Sequence, residues 1–146
     1  MIEINTKDWK PVGATSNTRF YDVEAGIVAA VPNLGLGDDR KTALENIEFL
    51  NGYWRKLGRG GVVLVFFDRL VSQSKEARQA HGTLYDLEVI RATALIGGSV
   101  LGRTIAAFFL GLFRPRMPTQ MFATTADALT WARQVNRAAD AREQGA

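Results

Sequence analysis

The sequence contains no cysteine and a single histidine, His81, among its 146 residues. The absence of cysteine excludes disulfide bonds and thiolate chemistry. No pair of carboxylates has a spacing typical of metal ligands, so we expect no metal ion. A Ser–His–Asp triad would have to recruit His81 from a predicted helix, without a nucleophile-elbow sequence. We therefore expect a partly exposed helix histidine, no catalytic residues and no cofactor.

The sequence also predicts neither a leader nor an uninterrupted apolar span. No basic stretch followed by an apolar one occurs at its start, so we expect no signal peptide. The most apolar region, residues 92–113, contains Arg103 near its middle and a Gly-Gly-Ser break. An arginine at the centre of a membrane span costs roughly 2.5–3.5 kcal/mol. These features predict a chain without a transmembrane helix and a cytoplasmic location.

Charge is unevenly distributed along the chain. Residues 1–48 hold five basic and eight acidic residues, whereas residues 55–116 hold ten basic and four acidic ones. A basic middle attracts anions, acidic proteins or lipid headgroups. The arginines are scattered and no basic run is interleaved with aromatic residues, so nucleic-acid binding is the least favoured of these interactions.

The spacing of apolar residues predicts alternating strands and helices between residues 18 and 138, preceded by an irregular segment, 1–17, and followed by a polar tail, 139–146. The stretch 62–68 is continuously apolar and β-branched before its final aspartate, which is typical of a central strand buried on both faces. Alternation of this kind predicts an α/β domain with parallel strand pairs covered by helices. Strands are predicted at 20–24, 26–31, 62–68, 89–96 and 119–122, and helices at 40–57, 74–87, 100–113 and 124–138.

Capping residues mark the starts of these helices. Asp38 or Asp39 precedes the first helix, where Thr42 and Glu45 have the spacing of a capping box. Ser74 precedes the second helix, and Thr124 or Thr125 the last one.

The predicted helix 100–113 is apolar on nearly all of its faces. Such a helix is buried on several sides or covers something. It is a packed core helix, a homodimer or partner interface, or a helix that contacts a membrane or a lipid, the last because Arg103, Arg114 and Arg116 flank it. The residues that would form the interface or apolar pocket are Ile105, Phe108, Phe109, Leu112 and Phe113.

The turn that precedes this helix has the glycine spacing of a phosphate-binding loop over residues 97–104. Arginine stands where such a loop requires lysine, so we do not expect a nucleotide-hydrolysing site. Backbone N–H groups at a helix start favour anions. The turn is therefore either an ordinary connection or a looser anion site formed by Gly98, Ser99 and Arg103.

Asp68 stands at the end of the predicted central strand, where carboxylates occur in active sites. The simpler interpretation is a hydrogen-bond acceptor in the loop or an ion-pair partner of Arg69 or Arg78.

Several stretches resemble the SpoIIAA-like branch of the STAS superfamily over about residues 18–135. They are the strand ending at Asp68 followed by SKEAR at 74–78, the strand running into the glycine-rich turn, FFLGLFRP at 108–115, and Met121-Phe with Asp127-Ala-Leu-Thr-Trp. The resemblance implies a single domain with a four- or five-stranded mixed sheet and helices mainly on one face. It also implies a non-enzymatic role in binding a protein partner or a small ligand.

The chain departs from that family at its phosphorylation motif. Phosphorylated members carry Asp-Ser-Ser-Gly at a helix start, whereas residues 72–75 here are Ser-Gln-Ser-Lys. Ser74 corresponds best to the modified serine, so it is either a helix cap or a phosphorylation site.

The sequence thus predicts a STAS-like regulatory or interaction module that forms a homodimer. The first alternative is a carrier or sensor that holds a small apolar or anionic ligand between residues 97–113 and the sheet. The second is an enzyme that uses Asp68, His81 or Arg103. Peripheral membrane contact is a further option.

Overall fold

The alternation of strands and helices forms a mixed sheet in the computed structural model, which describes residues 4–98 and 115–145. A 3-10 turn, Phe67–Arg69, follows the central strand. The strands, in chain order, are β1 (Lys10–Ala14), β2 (Thr18–Glu24), β3 (Ile27–Pro32), β4 (Gly37–Asp38), β5 (Gly61–Val65), β6 (Ser72–Gln73), β7 (Ile90–Ile96) and β8 (Thr119–Phe122), and the described helices are α1 (Arg40–Leu57), α2 (Lys75–Thr83) and α3 (Thr125–Gln144).

Six of the strands form the main sheet in the order β1-β2-β3-β5-β7-β8. The pairs β1–β2 and β2–β3 are antiparallel, and each later pair is parallel. The α/β class and the mixed sheet are confirmed. The sheet has six strands where four or five were expected, and the additional strand β1 lies in the segment 1–17 that was predicted to be irregular. Its sequence, KPVGA, carries little strand signal because proline and glycine are depleted in strands, and pairing with β2 overrides that local preference.

The helices cover the sheet on both faces. Alternate residues of β3 point to opposite sides: Val28 packs with α1 and α2, whereas Ala29 packs with α3. Two of the three described helices therefore share one face, in line with the expected arrangement, and α3 covers part of the other. The strand β5 is buried on both sides as predicted, but it ends at Val65 rather than at residue 68. Asp68 consequently lies in the 3-10 turn.

Helix α1 begins and ends at residues that its sequence specifies. Asp39 accepts from the backbone N–H of Thr42, whose side chain in turn accepts from the backbone N–H of Asp39. The capping box thus joins Asp39 to Thr42 and not Thr42 to Glu45, because the helix starts one residue after Asp39. Gly58, with φ of 69°, ends the helix in the left-handed conformation that glycine adopts without strain.

Helix α3 continues to Gln144, although the last helix was predicted to end near residue 138 and residues 139–146 to form a polar tail. Ala139 is buried, and the guanidinium of Arg91 on β7 lies 3.0 Å from Asp140 and 3.1 Å from Glu143. Nothing near these carboxylates in the sequence indicates that their partner lies on β7. Helix α2 is shorter than predicted and ends at Thr83.

The described helices do not include a membrane-spanning candidate. In residues 4–98 and 115–145, none combines the length and the apolar character needed to cross a bilayer.

Candidate functional site

Two loops meet at the carboxyl ends of the parallel strands β3 and β5. In α/β sheets this edge is the usual location of binding sites. The loop after β3 and the loop after β5 are held together by the short parallel pair β4–β6. Further backbone bonds join Gly35 N–H to the carbonyl of Arg69, 3.3 Å, and Val71 N–H to the carbonyl of Leu36, 3.0 Å. The two loops therefore form one hydrogen-bonded unit.

This unit presents three aliphatic side chains to solvent. Leu34 is 53% exposed, Leu36 43% and Val71 71%. We call these three residues the loop patch. Single exposed apolar side chains are common on protein surfaces, whereas grouped ones mark interfaces. These three lie on two neighbouring loops that are hydrogen-bonded to each other.

Beneath the loop patch lies a buried carboxylate, Asp38 on β4, whose side chain is 3% exposed. Its Oδ2 accepts from Gln73 at 3.0 Å and lies 2.9 Å from Nε2 of His81. Its Oδ1 accepts from the hydroxyl of Thr42 at 2.5 Å. The carboxylate thus joins β4, β6, α1 and α2.

The geometry determines the proton on His81. An ionised carboxylate only accepts hydrogen bonds, so Nε2 carries the proton and donates to Asp38. The other ring nitrogen, Nδ1, lies 3.0 Å from the hydroxyl of Tyr85, which donates to it when the ring is neutral. Both ring nitrogens are therefore engaged, although the side chain is 27% exposed.

The pKa values of this cluster are shifted in opposite directions. Burial alone would raise the pKa of Asp38, but the hydrogen bond and charge of His81, with hydrogen bonds from Thr42 and Gln73, outweigh it and lower that pKa. Complete burial and the negative charge of Asp38 raise the pKa of Tyr85. The folded protein therefore favours an ionised Asp38 beside a neutral Tyr85.

The polar cluster continues into the β1–β2 connection. The side-chain amide of Asn17 donates to the carbonyl of Gly37 at 3.1 Å and lies 3.4 Å from Asp38 Oδ1. Asn46 of α1 donates to Asn17 at 3.0 Å and accepts from Thr15 at 2.5 Å. Because these buried polar groups have partners, the cluster stabilises the loops rather than straining them.

A half-open groove of about 300 Å³ lies beside the same edge, on the face of the sheet that carries α3. Arg69 contributes one guanidinium, whose Nε donates to the carbonyl of Pro32 at 2.6 Å. Arg19 contributes a second one from the exposed part of β2. We call it the β2–β3 groove, and its lining residues are Ile4, Thr6, Arg19, Tyr21, Val31, Asn33, Leu34 and Arg69.

Of the three residues of the predicted anion site, Gly98, Ser99 and Arg103, only Gly98 falls in the described part of the chain. Gly98 is exposed and follows Gly97, where an added Cβ would lie 2.6 Å from the ring of Phe67 and 2.8 Å from a carboxylate oxygen of Asp68. The turn therefore approaches the loop after β5 closely. Ser99 and Arg103 lie outside the described residues, as do Ile105, Phe108, Phe109, Leu112 and Phe113.

The remaining sequence candidates are described. Ser74 caps α2, since its hydroxyl accepts from the N–H of Ala77 at 3.0 Å. The cap is confirmed, and phosphorylation of Ser74 stays a prediction. His81 is a partly exposed helix residue, as expected. Arg69, one of the expected partners of Asp68, donates instead to a backbone carbonyl.

Sequence reasoning missed the roles of Asp38, Tyr85 and Arg19. The spacing of His81 and Tyr85, four residues apart, indicates neighbours on one helical turn, but it gives no reason to expect a buried aspartate. Arg19 carries no local signal. Across residues 4–98 and 115–145, no three His, Cys, Asp or Glu side chains converge to hold a metal ion.

A family model matches residues 57–136, more than half of the chain, and it describes a domain of unknown function, DUF7793. The chain belongs to the DUF7793 family. The matched segment runs from the end of α1 into α3, so it includes Ser74, His81 and Arg69 but neither Asp38 nor Arg19. Comparison with curated proteins and with solved structures finds no significant match.

Proposed function

We propose that this chain is a non-enzymatic interaction module of STAS-like type, which pairs with a second copy of itself through the loop patch. The observation that carries the proposal is the exposure of Leu34, Leu36 and Val71 on two loops that are hydrogen-bonded to each other. The resemblance to STAS proteins, which act by binding, supports the same class of function.

Energetics favour burial of this surface. Removing a leucine or valine side chain from water is worth roughly 1.5–3 kcal/mol. The β4–β6 ladder and the Asp38 cluster already order the backbone beneath the patch. Association therefore loses little loop entropy, which is a large part of the cost of forming an interface.

A two-fold arrangement suits the charges that border the patch. Asp39 follows β4, Lys75 follows the helix cap Ser74, and both side chains are exposed. The two segments are neighbours, because the backbone N–H of Ser74 donates to the carbonyl of Asp38 at 2.9 Å. A two-fold axis places the same surface of one copy against that of the other, so Asp39 of each copy pairs with Lys75 of the other if the axis passes between these two residues.

The polar cluster around Asp38 supports a protein that binds a partner without catalysing a reaction. His81 uses Nε2 for Asp38 and Nδ1 for Tyr85. A general base needs a free lone pair within reach of a substrate proton. The competing hypothesis is an enzyme that uses Asp68, His81 or Arg103. It predicts a measurable activity that is lost when one of these residues is replaced by alanine.

The test is the molar mass by light scattering at about 100 μM, a concentration at which micromolar dimers are populated. We expect a dimer for the parent chain and a monomer for the double variant Leu36→Ser/Val71→Ser. The matched control is Leu84→Ser/Leu87→Ser, which changes two side chains that are 43% and 44% exposed outside the patch. A monomeric parent chain, or a patch variant that remains dimeric, contradicts the proposal.

The alternative is a carrier or sensor with its pocket between residues 97–113 and the sheet. It stays a prediction, because Gly97 and Gly98 are the only described residues of that segment. A mass above that of the chain in native mass spectrometry would support it. We place the module in the cytoplasm, in keeping with the absence of cysteine. Membrane contact and nucleic-acid binding rank below both functions.

A further inference from the structure

We infer that the β2–β3 groove binds a small organic anion, whose carboxylate or phosphate group is held by Arg19 and Arg69. The two arginines of this site are not part of the loop patch, so the proposal goes beyond dimerisation. Leu34 alone belongs to both surfaces.

The charge of the groove is unbalanced. Both guanidinium groups line it, and its lining includes no acidic side chain. Within the described part of the chain, neither Arg19 nor Arg69 forms an ion pair, whereas Arg55, Arg91 and Arg133 each contact a carboxylate. The two positive charges in this groove repel each other, whereas a bound anion attracts both of them.

The hydrogen-bond donors of the groove are available and partly pre-oriented. Only Nε of Arg69 donates to the carbonyl of Pro32. This hydrogen bond fixes the plane of the guanidinium and leaves both Nη groups available as donors. The side chains of Thr6, Tyr21 and Asn33 also line the groove, and none of them makes a hydrogen bond to another described residue. A ligand with several acceptor oxygens satisfies these donors together.

The apolar part of the lining favours an organic anion over an inorganic one. Ile4, Val31 and Leu34 provide aliphatic surface beside the donors. The volume of about 300 Å³ is at the lower end of the range for small-molecule sites. The groove therefore accommodates a charged head group and a short aliphatic or aromatic body.

Calorimetric titration with four probes tests the assignment: inorganic phosphate, phenyl phosphate, hexanoate and the neutral hexanamide. We expect saturable binding of phenyl phosphate or hexanoate, with the tighter of the two indicating phosphate or carboxylate as the head group. Hexanamide should not bind. Equal affinity for inorganic phosphate and phenyl phosphate would overturn the organic assignment, and an absence of binding by both organic anions would overturn the site.

The decisive variant is Arg19→Gln, which removes a guanidinium that makes no hydrogen bond or ion pair with another described residue. Loss of one charge-assisted contact should weaken binding roughly ten-fold or more. The matched control is Arg137→Gln on the exposed side of α3, which changes the net charge equally and should bind as the parent chain does. Equal weakening by both substitutions would show a general charge effect and overturn the proposal.

A second variant distinguishes anion binding in the groove from dimerisation through the loop patch. Leu36→Ser/Val71→Ser alters the loop patch and leaves both arginines, so it should retain anion binding whether or not the chain dimerises. Loss of binding in that variant together with retention in Arg19→Gln would place the anion elsewhere.

Discussion

Asp38 is the residue on which most side-chain contacts of the carboxyl-end loops converge. It accepts from Thr42, Gln73 and His81, which belong to three different elements. A buried carboxylate is tolerated only when its charge and lone pairs are satisfied. Removal of that charge should therefore loosen the loops that carry the loop patch and contribute Leu34, Asn33 and Arg69 to the β2–β3 groove.

Asp38→Asn should lower the free energy of unfolding by about 2–3 kcal/mol, because the amide NH2 group faces donors that require an acceptor. Urea denaturation at pH 7 measures the change. The neighbouring substitution Asp39→Asn is the control: asparagine caps helices as well as aspartate does, so its effect should stay within about 0.5 kcal/mol. Equal effects of the two substitutions would contradict the role of Asp38.

The pH dependence of stability provides a second measurement on the same variant. The pKa of Asp38 is lower in the folded protein than in the unfolded chain. Its stabilising contribution is therefore fully present above the unfolded value, about 3.9, and is lost as the pH falls through the lower folded value. Between pH 5 and the acid transition, the parent chain should lose more stability than Asp38→Asn does. Parallel pH profiles would show that this carboxylate makes no such contribution.

At the scale of the element, α2 connects the polar cluster to the loops. Ser74 begins the helix, and His81 on its last turns contacts Asp38. A nine-residue helix is too short to be stable alone, so its cap and its tertiary contacts determine whether it forms.

Ser74→Ala should destabilise the protein by about 1 kcal/mol, because the N–H of Ala77 loses its acceptor. Ser74→Asp retains an acceptor at the cap and places a negative charge at the helix N-terminus, so it should unfold close to the parent chain. Thermal and urea unfolding compare the three proteins. A destabilised Ser74→Asp would argue against both the cap and the accommodation of a phosphate there.

At the scale of the whole molecule, the last turns of α3 are tied to β7, the strand next to the edge of the sheet. Arg91 and Glu143 are 52 residues apart in sequence, yet two hydrogen bonds join their side chains. The side chain of Arg91 is 9% exposed, so its charge depends on Asn136, Asp140 and Glu143 for compensation.

A chain that ends after Ala138 should lose about 1–3 kcal/mol of stability, since it leaves the nearly buried Arg91 without its carboxylates. A chain that ends after Glu143 keeps both carboxylates and serves as the control. We expect its unfolding midpoint to match that of the parent chain of 146 residues. Equal midpoints for the two truncated chains would show that the last turns of α3 are a dispensable tail.

The local features of this protein can be read from the sequence. They are the buried run around Val63, the caps Ser74 and Thr124, and the strand Thr119–Phe122, which follow from periodicity and from hydrogen bonds within about one turn. The pairing of β1, the length of α3 and the cluster around Asp38 depend instead on contacts between distant parts of the chain. Asp38 and His81 meet across 43 residues, and Arg19 and Arg69 share a groove although they lie on separate elements. Such contacts depend on strand order and helix placement, which short-range patterns do not encode.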